Sequence, residues 1–215
     1  MVQNLKPVVE LNSEDWTELL KKYKLQNVMT SIHVQMLWYR MQRALEPEIW
    51  YEVHADEVLA AATLGGGVDR LLEEWSDKGQ ILDSYAADCL AMEALQCLYG
   101  LLEDELVKTN AYIERYQFPD PEEEGEENMA YILKQLQCSE TIGLTDDGTL
   151  RPMKSVVFIG ILTADQKKRC STICRHCGRV DCPNRYSLHM GNYREPGALR
   201  YSYEMCIRDR SGRGI

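Results

Sequence analysis

The stretch ILDSYAADCLAMEALQCLYGLLEDEL, residues 81–106, carries the longest helical pattern in the chain. Six residues recur along it at helical spacing: Tyr85, Asp88, Met92, Leu95, Tyr99 and Leu102. This repeat predicts a central buried helix. Asp88 falls on or beside the apolar stripe, so we expect it to be either a polar anchor or a ligand group.

Helical and strand patterns alternate irregularly on both sides of this segment. The helical repeat returns in 68–77, in 128–136, in 13–24 through Trp16, Leu19, Leu20 and Tyr23, and in 28–45 through Val28, Ile32, Met36, Tyr39 and Arg43. Strand patterns cover 49–53, 141–144 and 156–162. Because strands and helices mix without a regular βαβ repeat, the sequence predicts an α+β fold.

A run of three glycines, Gly65 to Gly67, precedes the helical segment 68–77. Such a run is typical of a flexible connection between a strand and a helix. It resembles a phosphate-binding loop only weakly, since no Gly-Lys-Ser/Thr follows it. We therefore interpret it as a structural turn.

The charge of the chain is unevenly distributed and excludes one class of partner. The net charge is −10, but residues from Lys167 onward carry 11 Lys and Arg against 4 Asp and Glu, which leaves −17 on the first 166 residues. An acidic body is poorly suited to nucleic acid, whose binding depends on neutralising phosphates. The basic end is suited instead to an acidic redox partner or to offsetting nearby thiolates.

Two further classes are excluded by the absence of long apolar runs. The longest candidate, Val156 to Leu162, suits a buried strand and falls well short of the roughly 20 apolar residues of a membrane span. The first residues lack the apolar region of a signal peptide. We therefore expect a protein of the cytoplasm without a membrane partner.

Four of the eight cysteines lie in CSTICRHCGRVDCPNR, residues 170–185, at Cys170, Cys174, Cys177 and Cys182. In a chain without a secretory leader, this density indicates a metal site rather than a disulfide framework. The spacing suits a tetrahedral zinc or an iron–sulfur cluster, with the 4Fe-4S type favoured because all four thiols lie in one short segment. Zinc remains the alternative.

Two long stretches resemble one known family in their order and spacing. They are LGGGVDRLLEEWSDKGQILDSYAADCLAMEALQCL, residues 64–98, and IGLTDDGTLRPMKSVVFIGI, residues 142–161. Together with a strand near Tyr51 and a helix near Tyr131, they resemble the reactivation domain of cobalamin-dependent methionine synthase over roughly residues 30–162. In some bacteria this domain is a separate short protein.

The resemblance implies a C-shaped α+β domain with an antiparallel sheet and flanking helices, which binds S-adenosylmethionine. The implied cofactor-binding residues are Asp88, Glu93, Arg115, Lys154 and Ser155. Arg115 matches the arginine of the family's adenosylmethionine motif, whereas the Gly-Tyr pair that follows the family's proline is absent from Arg-Tyr-Gln-Phe-Pro-Asp here. A cationic group is required for the ligand's carboxylate and an anionic one for its ammonium and sulfonium.

On this basis the chain divides into four parts. Residues 1–26 form an N-terminal helical extension, 27–165 the activation-domain-like unit and 166–202 the cysteine-rich metal-binding segment. Residues 203–215, YEMCIRDRSGRGI, resemble translated sequencing-adaptor read-through and are excluded from fold reasoning.

The expected function is that of an accessory protein in the reductive remethylation of a cobalamin-dependent methyltransferase. Cobalamin would be held by the partner, a corrinoid-binding protein or the cobalamin module of methionine synthase, and electrons would come from a flavodoxin or ferredoxin. A cluster on the cysteine segment would carry one electron at a time. The alternative is a non-catalytic interaction module stapled by zinc, with a vacant ligand pocket. The sequence shows no complete catalytic constellation of its own, so enzymatic activity is left open.

Overall fold

The computed structural model describes residues 1–11, 16–119 and 125–170, the side chains of 125–127 excepted. The predicted α+β class is confirmed: an open antiparallel sheet is flanked by helices. The helices are α1 (Trp16–Lys22), α2 (Ser31–Gln42), α3 (Gly66–Asp77), α4 (Ile81–Val107) and α5 (Gly125–Gln135). The strands are β1 (Gln3–Leu5), β2 (Glu48–His54), β3 (Glu57–Thr63), β4 (Tyr112–Gln117), β5 (Gly143–Leu144), β6 (Leu150–Arg151) and β7 (Ser155–Thr163).

The main sheet has five strands in the order β1-β2-β3-β7-β4, and β5 pairs with β6 in a separate hairpin. Each face of the sheet has its own core. Helices α1 to α4 pack on one face, which we call the α4 face, and α5 packs on the other, the α5 face. Central strand β3 is buried from Val58 to Thr63 because both of its faces are covered.

Helix α4 is the central buried element that its sequence predicts. One side of it is almost completely buried, through Ala86, Ala87, Leu90, Ala91, Ala94 and Leu98. The C-terminal part of the predicted stripe lies on the sheet, where the Tyr99 ring centroid is 5.2 Å from that of Phe158. At the N-terminal end, Tyr85 is 50% exposed. The stripe therefore passes from the surface into the core.

Helix α2 exists, but its predicted stripe is not the buried one. The buried residues are Val34, Leu37, Trp38 and Met41, whereas Val28, Ile32, Met36 and Tyr39 are exposed. Both sides of the helix carry large apolar residues, so periodicity alone cannot say which side faces the core.

The N-terminal segment joins the rest of the molecule more closely than a helical extension would. Helix α1 buries Trp16, Leu19 and Leu20 as predicted, and Tyr23 follows it into the core. The same segment also contributes a strand that the sequence did not predict, because β1 pairs antiparallel with β2, with Gln3 opposite Tyr51. None of the helices in the described ranges is long and apolar enough to cross a membrane.

Candidate functional site

The glycine run is explained by close packing between α3 and the chain after α2. Gly65 has a φ of +83°, and a Cβ there would lie 2.7 Å from Cβ of Glu46. A Cβ on Gly67 would lie 2.2 Å from the carbonyl oxygen of Ala44. Since no side chain larger than hydrogen fits at positions 65 and 67, the run is a structural connection, as predicted.

Three of the predicted binding residues come together where β3 ends and β7 begins. Lys154 Nζ lies 2.7 Å from Asp88 Oδ1. The Ser155 hydroxyl lies 2.7 Å from the Thr63 hydroxyl, which also accepts the backbone N–H of Gly65 at 3.1 Å. Lys154 is only 9% exposed. The cluster thus holds the turn before β7 against α4 and the glycine connection.

Glu93 lies apart from this cluster and has a different set of partners. Its carboxylate is 3% exposed and accepts hydrogen bonds from the Lys22 ammonium and the Tyr23 hydroxyl. It therefore fixes α1 and the residue that follows it onto α4. Among the described contacts, no hydrogen bond or ion pair joins Glu93 to Lys154 or Arg115, although the Cys89 thiol lies within electrostatic range of Asp88, Glu93 and Lys154.

Arg115 is directed to the α5 face by a β-bulge. Strand β4 pairs Ile113 with Leu162 and Arg115 with Ile161, so Glu114 is the extra residue between two consecutive partners. Ile113 is fully buried in the core of the α4 face. Without the bulge Arg115 would project to that same face, because side chains alternate along a strand. With it, Arg115 shares the face of Ile161 and is exposed.

A row of four side chains, three of them polar, therefore crosses the α5 face. His54 pairs with Glu57, Glu57 with Ile161, and Ile161 with Arg115. Directly paired residues project to the same side of an antiparallel sheet. At the backbone, Arg115 lies two strands from Glu57, or about 10 Å.

A cavity of about 330 Å³ opens beside this row. Its walls combine an apolar base with a polar rim, formed by His54, Glu57, Leu59, Asn128, Tyr131, Ile132 and Ile159. Helix α5 covers the neighbouring part of the sheet, where Trp50, Ala61 and Val157 are buried, and leaves this end open. Small-ligand sites combine an apolar lining with a few polar groups in this way, at about 300 Å³ and above. Arg115 is not among the residues that line the cavity and lies farther along the same row of side chains. We refer to the cavity and Arg115 together as the α5 cleft.

The charges around the α5 cleft are only partly paired. Glu52 lies 2.6 Å from the amino terminus and 3.2 Å from His54 Nε2. The hydrogen bond from the amino terminus is the main reason why the pKa of Glu52 is lowered. Within the part of the chain that the structure describes, Glu57 and Arg115 have no ion-pair partner. The described residues therefore leave one anion and one cation of the α5 cleft without an opposite charge.

Of the four predicted metal ligands, only Cys170 lies within the described residues. Its backbone N–H donates to the carbonyl of Ile113 at 2.7 Å, and the residue is 5% exposed. Arg169 fixes the same segment, because its Nη2 lies 2.5 Å from Oε2 of Glu103. Cys174, Cys177 and Cys182 lie outside the described residues, as does the predicted tail 203–215. No group of three or more metal-ligating side chains occurs among the residues described.

The remaining described cysteines differ from one another. Cys89 and Cys138 are buried free thiols, and burial raises the pKa of each to about 11. Both pack as small apolar residues. Cys97 is half-buried and engaged in a disulfide bond, so it does not share that role.

Four residues of the α5 cleft were missed by sequence reasoning: His54, Glu57, Asn128 and Tyr131. His54 and Glu57 are brought together by the hairpin between β2 and β3. The strand pattern of β3 is hidden by its run of three alanines, Ala60 to Ala62. Recognising a hairpin around Ala55 and Asp56 would have been the only available signal.

No protein-family model matches the chain, and no curated protein is significantly similar to it. The resemblance to the reactivation domain of methionine synthase therefore stays a prediction. Function has to be inferred from the side chains and their arrangement.

Proposed function

We propose that this protein is an accessory factor for the reductive remethylation of a cobalamin-dependent methyltransferase, and that it binds S-adenosylmethionine in the α5 cleft. The observation that carries the proposal is the bulge at Glu114, which directs Arg115 to the same row as Glu57. The α+β fold with an antiparallel sheet belongs to the class that the resemblance implies.

The two uncommitted charges of the cleft complement those of the ligand. The Arg115 guanidinium would hold the carboxylate through charge-assisted hydrogen bonds. Glu57 and the ring of Tyr131, which is 58% exposed, would attract the sulfonium. Leu59 and Ile159 would supply apolar surface. In this proposal Glu57 takes the role first expected of Asp88 and Glu93.

The bound ligand would donate its methyl group to the cobalamin that the partner holds. An electron from the redox partner would reduce cob(II)alamin, the methyl group would pass to the reduced cobalt as the carbon–sulfur bond breaks, and S-adenosylhomocysteine would be released. In this proposal the residues of this chain bind and orient the methyl donor, and the partner holds the cobalamin.

An iron–sulfur cluster would supply the single electron when it is bound, with a flavodoxin or ferredoxin as the upstream donor. Cys170 would be one ligand, with Cys174, Cys177 and Cys182 as the others. Its position is fixed at two points, by the hydrogen bond from its own N–H to the Ile113 carbonyl and by the pair between the preceding Arg169 and Glu103. Such anchoring of a ligand segment is what a defined cluster geometry requires.

A second candidate function is supported by the internal pairing of the predicted binding residues. Asp88 is paired with Lys154, and Ser155 with Thr63. Glu93 is likewise occupied by Lys22 and Tyr23. These contacts favour a structural role for each residue, as expected of an interaction module whose cysteine segment holds zinc.

The test is a methyl-transfer assay with methyl-labelled S-adenosylmethionine, the cob(II)alamin-loaded module of methionine synthase and reduced flavodoxin. Labelled methylcobalamin should form with the wild type. Arg115→Ala should require at least about tenfold more methyl donor, because a hydrogen bond to a charged group contributes about 1.5–3 kcal/mol. Arg70→Ala is the matched control, since Arg70 is exposed on α3, on the other face of the sheet. Equal effects of the two variants would refute the assigned site.

Metal content distinguishes the two candidates. After anaerobic purification, iron and sulfide that are lost in Cys177→Ser would support electron delivery. Zinc without sulfide would support the interaction module instead.

A further inference from the structure

Cys97 differs from the other described cysteines because its sulfur is already bonded to another sulfur. It lies on α4, half-buried against the core of the α4 face, and is engaged in a disulfide bond. The three other cysteines that the structure describes, Cys89, Cys138 and Cys170, form no disulfide bond. Since the chain has eight cysteines, the partner of Cys97 is one of the four that lie outside the described residues: Cys174, Cys177, Cys182 and Cys206.

The described part of the chain ends beside α4. Cys170 is buried in the core against which Cys97 packs, and Nε of Arg169 lies 3.1 Å from Oε2 of Glu103 on α4. Glu103 follows Cys97 by six residues, a rise of about 9 Å along the helix. The four residues from Cys170 to Cys174 extend up to about 13–14 Å. The segment that begins at Cys170 therefore has enough length to bring a thiol to Cys97.

Three of the four possible partners, Cys174, Cys177 and Cys182, are also predicted metal ligands. Zinc and iron–sulfur sites both require thiolates, and a sulfur in a disulfide bond is not a thiolate. A disulfide from Cys97 to any of the three would leave the predicted set of four with three ligands. The disulfide and the metal therefore compete for one sulfur, whichever metal is bound.

We propose that Cys97 is the partner thiol of a redox switch in the cysteine-rich segment. Oxidation joins Cys97 to Cys174, Cys177 or Cys182 and holds the segment on α4, and reduction returns that thiolate to the metal site. The metal half rests on the proposed function, which assigns a metal to this segment. Cys206 is set aside, because residues 203–215 resemble translated sequencing-adaptor read-through.

The switching step requires an oxidant, which we take to be a small disulfide such as oxidised glutathione. As the sulfur–sulfur bond forms, the two protein thiols lose two protons and two electrons. The small disulfide accepts them and becomes two thiols by thiol–disulfide exchange.

Tryptic digestion without reduction, followed by mass spectrometry, identifies the partner of Cys97. The full chain is equilibrated with mixtures of reduced and oxidised glutathione, and remaining thiols are alkylated. Trypsin places the candidate partners in separate peptides, 170–175, 176–179, 180–185 and 201–208, and places Cys97 with Cys89 in peptide 79–108. Peptide 79–108 should be linked to one of the first three. Cys97→Ser should abolish the link, and Cys89→Ser, the matched control on the same helix, should retain it.

Zinc alone is the probe for the metal half, measured by competition with a chromogenic chelator. The oxidised wild type should bind zinc at least about tenfold more weakly than the reduced wild type, because loss of even an outer hydrogen-bond partner of a ligand costs about 10–100-fold. Reduced Cys97→Ser should bind zinc as the wild type does. At the glutathione ratio that oxidises Cys97 in the wild type, Cys97→Ser should keep its zinc and Cys89→Ser should lose it.

The outcomes separate the switch from the proposed function. If the reduced wild type binds zinc or iron but Cys97 is linked to none of the three peptides, or only to 201–208, the switch is wrong and the proposed metal site stands. If reduced Cys97→Ser binds zinc more weakly than the wild type, Cys97 is itself a ligand and the switch is again overturned. If the reduced wild type binds neither zinc nor iron, the switch and the proposed metal site both fail.

Discussion

Replacing Gly67 with alanine should destabilise the protein, whereas the same change at neighbouring Gly66 should not. The added Cβ at position 67 would lie 2.2 Å from the backbone oxygen of Ala44, at least about 1 Å closer than carbon and oxygen normally approach. At position 66 the nearest atom is Nη1 of the flexible Arg70 side chain, at 3.3 Å. The two substitutions thus have the same chemistry and differ only in the space around them.

The magnitude follows from what must move to relieve the contact. The obstacle at position 67 is backbone, so α3 has to shift away from the end of α2, and with it the fully buried Val68. Overpacking of this kind costs about 1–3 kcal/mol, and we expect the upper end. For a chain of 215 residues this lowers the melting temperature by about 6–12 °C. Gly66→Ala should be neutral or stabilise the protein by up to about 1 kcal/mol.

Urea unfolding followed by circular dichroism measures both variants against the wild type. A Gly67→Ala variant as stable as the wild type would show that the close contact with Ala44 does not limit this position. Equal losses in both variants would show that the glycines are required for something other than close packing with Ala44.

Three further predictions concern single side chains. Cys89 should react with iodoacetamide at neutral pH about 100-fold more slowly than an ordinary thiol, because burial raises its pKa from 9.0 to about 11; equal labelling in native and urea-unfolded protein would contradict this. Glu93→Gln should cost about 2 kcal/mol in urea unfolding, since its buried carboxylate accepts hydrogen bonds from Lys22 and Tyr23, and an unchanged midpoint would count against that role. Burial raises the pKa of Asp104, so its carboxyl group favours the folded state in acid and loses that contribution as the pH rises; Asp104→Asn should therefore increase stability near about pH 7 but not near about pH 3, and a pH-independent difference would refute it.

Strong periodicity was sufficient to predict the central helix and the strand that pairs beside β3. The segment 81–106 became α4 almost to the residue, and 156–162 became the middle of β7. Both carry long apolar patterns that leave few alternatives. The burial of Trp16, Leu19 and Leu20 was predicted by the same kind of helical periodicity.

Pairing between distant segments could not be predicted from the sequence. The α5 cleft depends on the register of four strands and on one extra residue at Glu114, and neither leaves a local pattern. Strand β3 was missed because alanine has low strand propensity, although burial on both faces forces it into the sheet. The orientation of α2 was wrong for a related reason, since both of its sides are apolar and only tertiary packing selects one.

The residues of the candidate site were likewise only partly predictable from the sequence. The contact between Asp88 and Lys154 joins residues that the resemblance had already singled out. Glu57 and Tyr131 were not singled out, because neither stands in a recognisable motif. They matter only through the cavity that the hairpin and α5 form together.

The measurement that tests the account most directly is calorimetric titration of the full chain with S-adenosylmethionine. We predict one binding site, weakened at least about tenfold by Arg115→Ala and by Glu57→Gln, with no change in Arg70→Ala. S-adenosylhomocysteine should bind more weakly, because it lacks the sulfonium charge that Glu57 attracts. No heat of binding with the wild type, or equal affinity of the wild type and Arg115→Ala, would contradict the account.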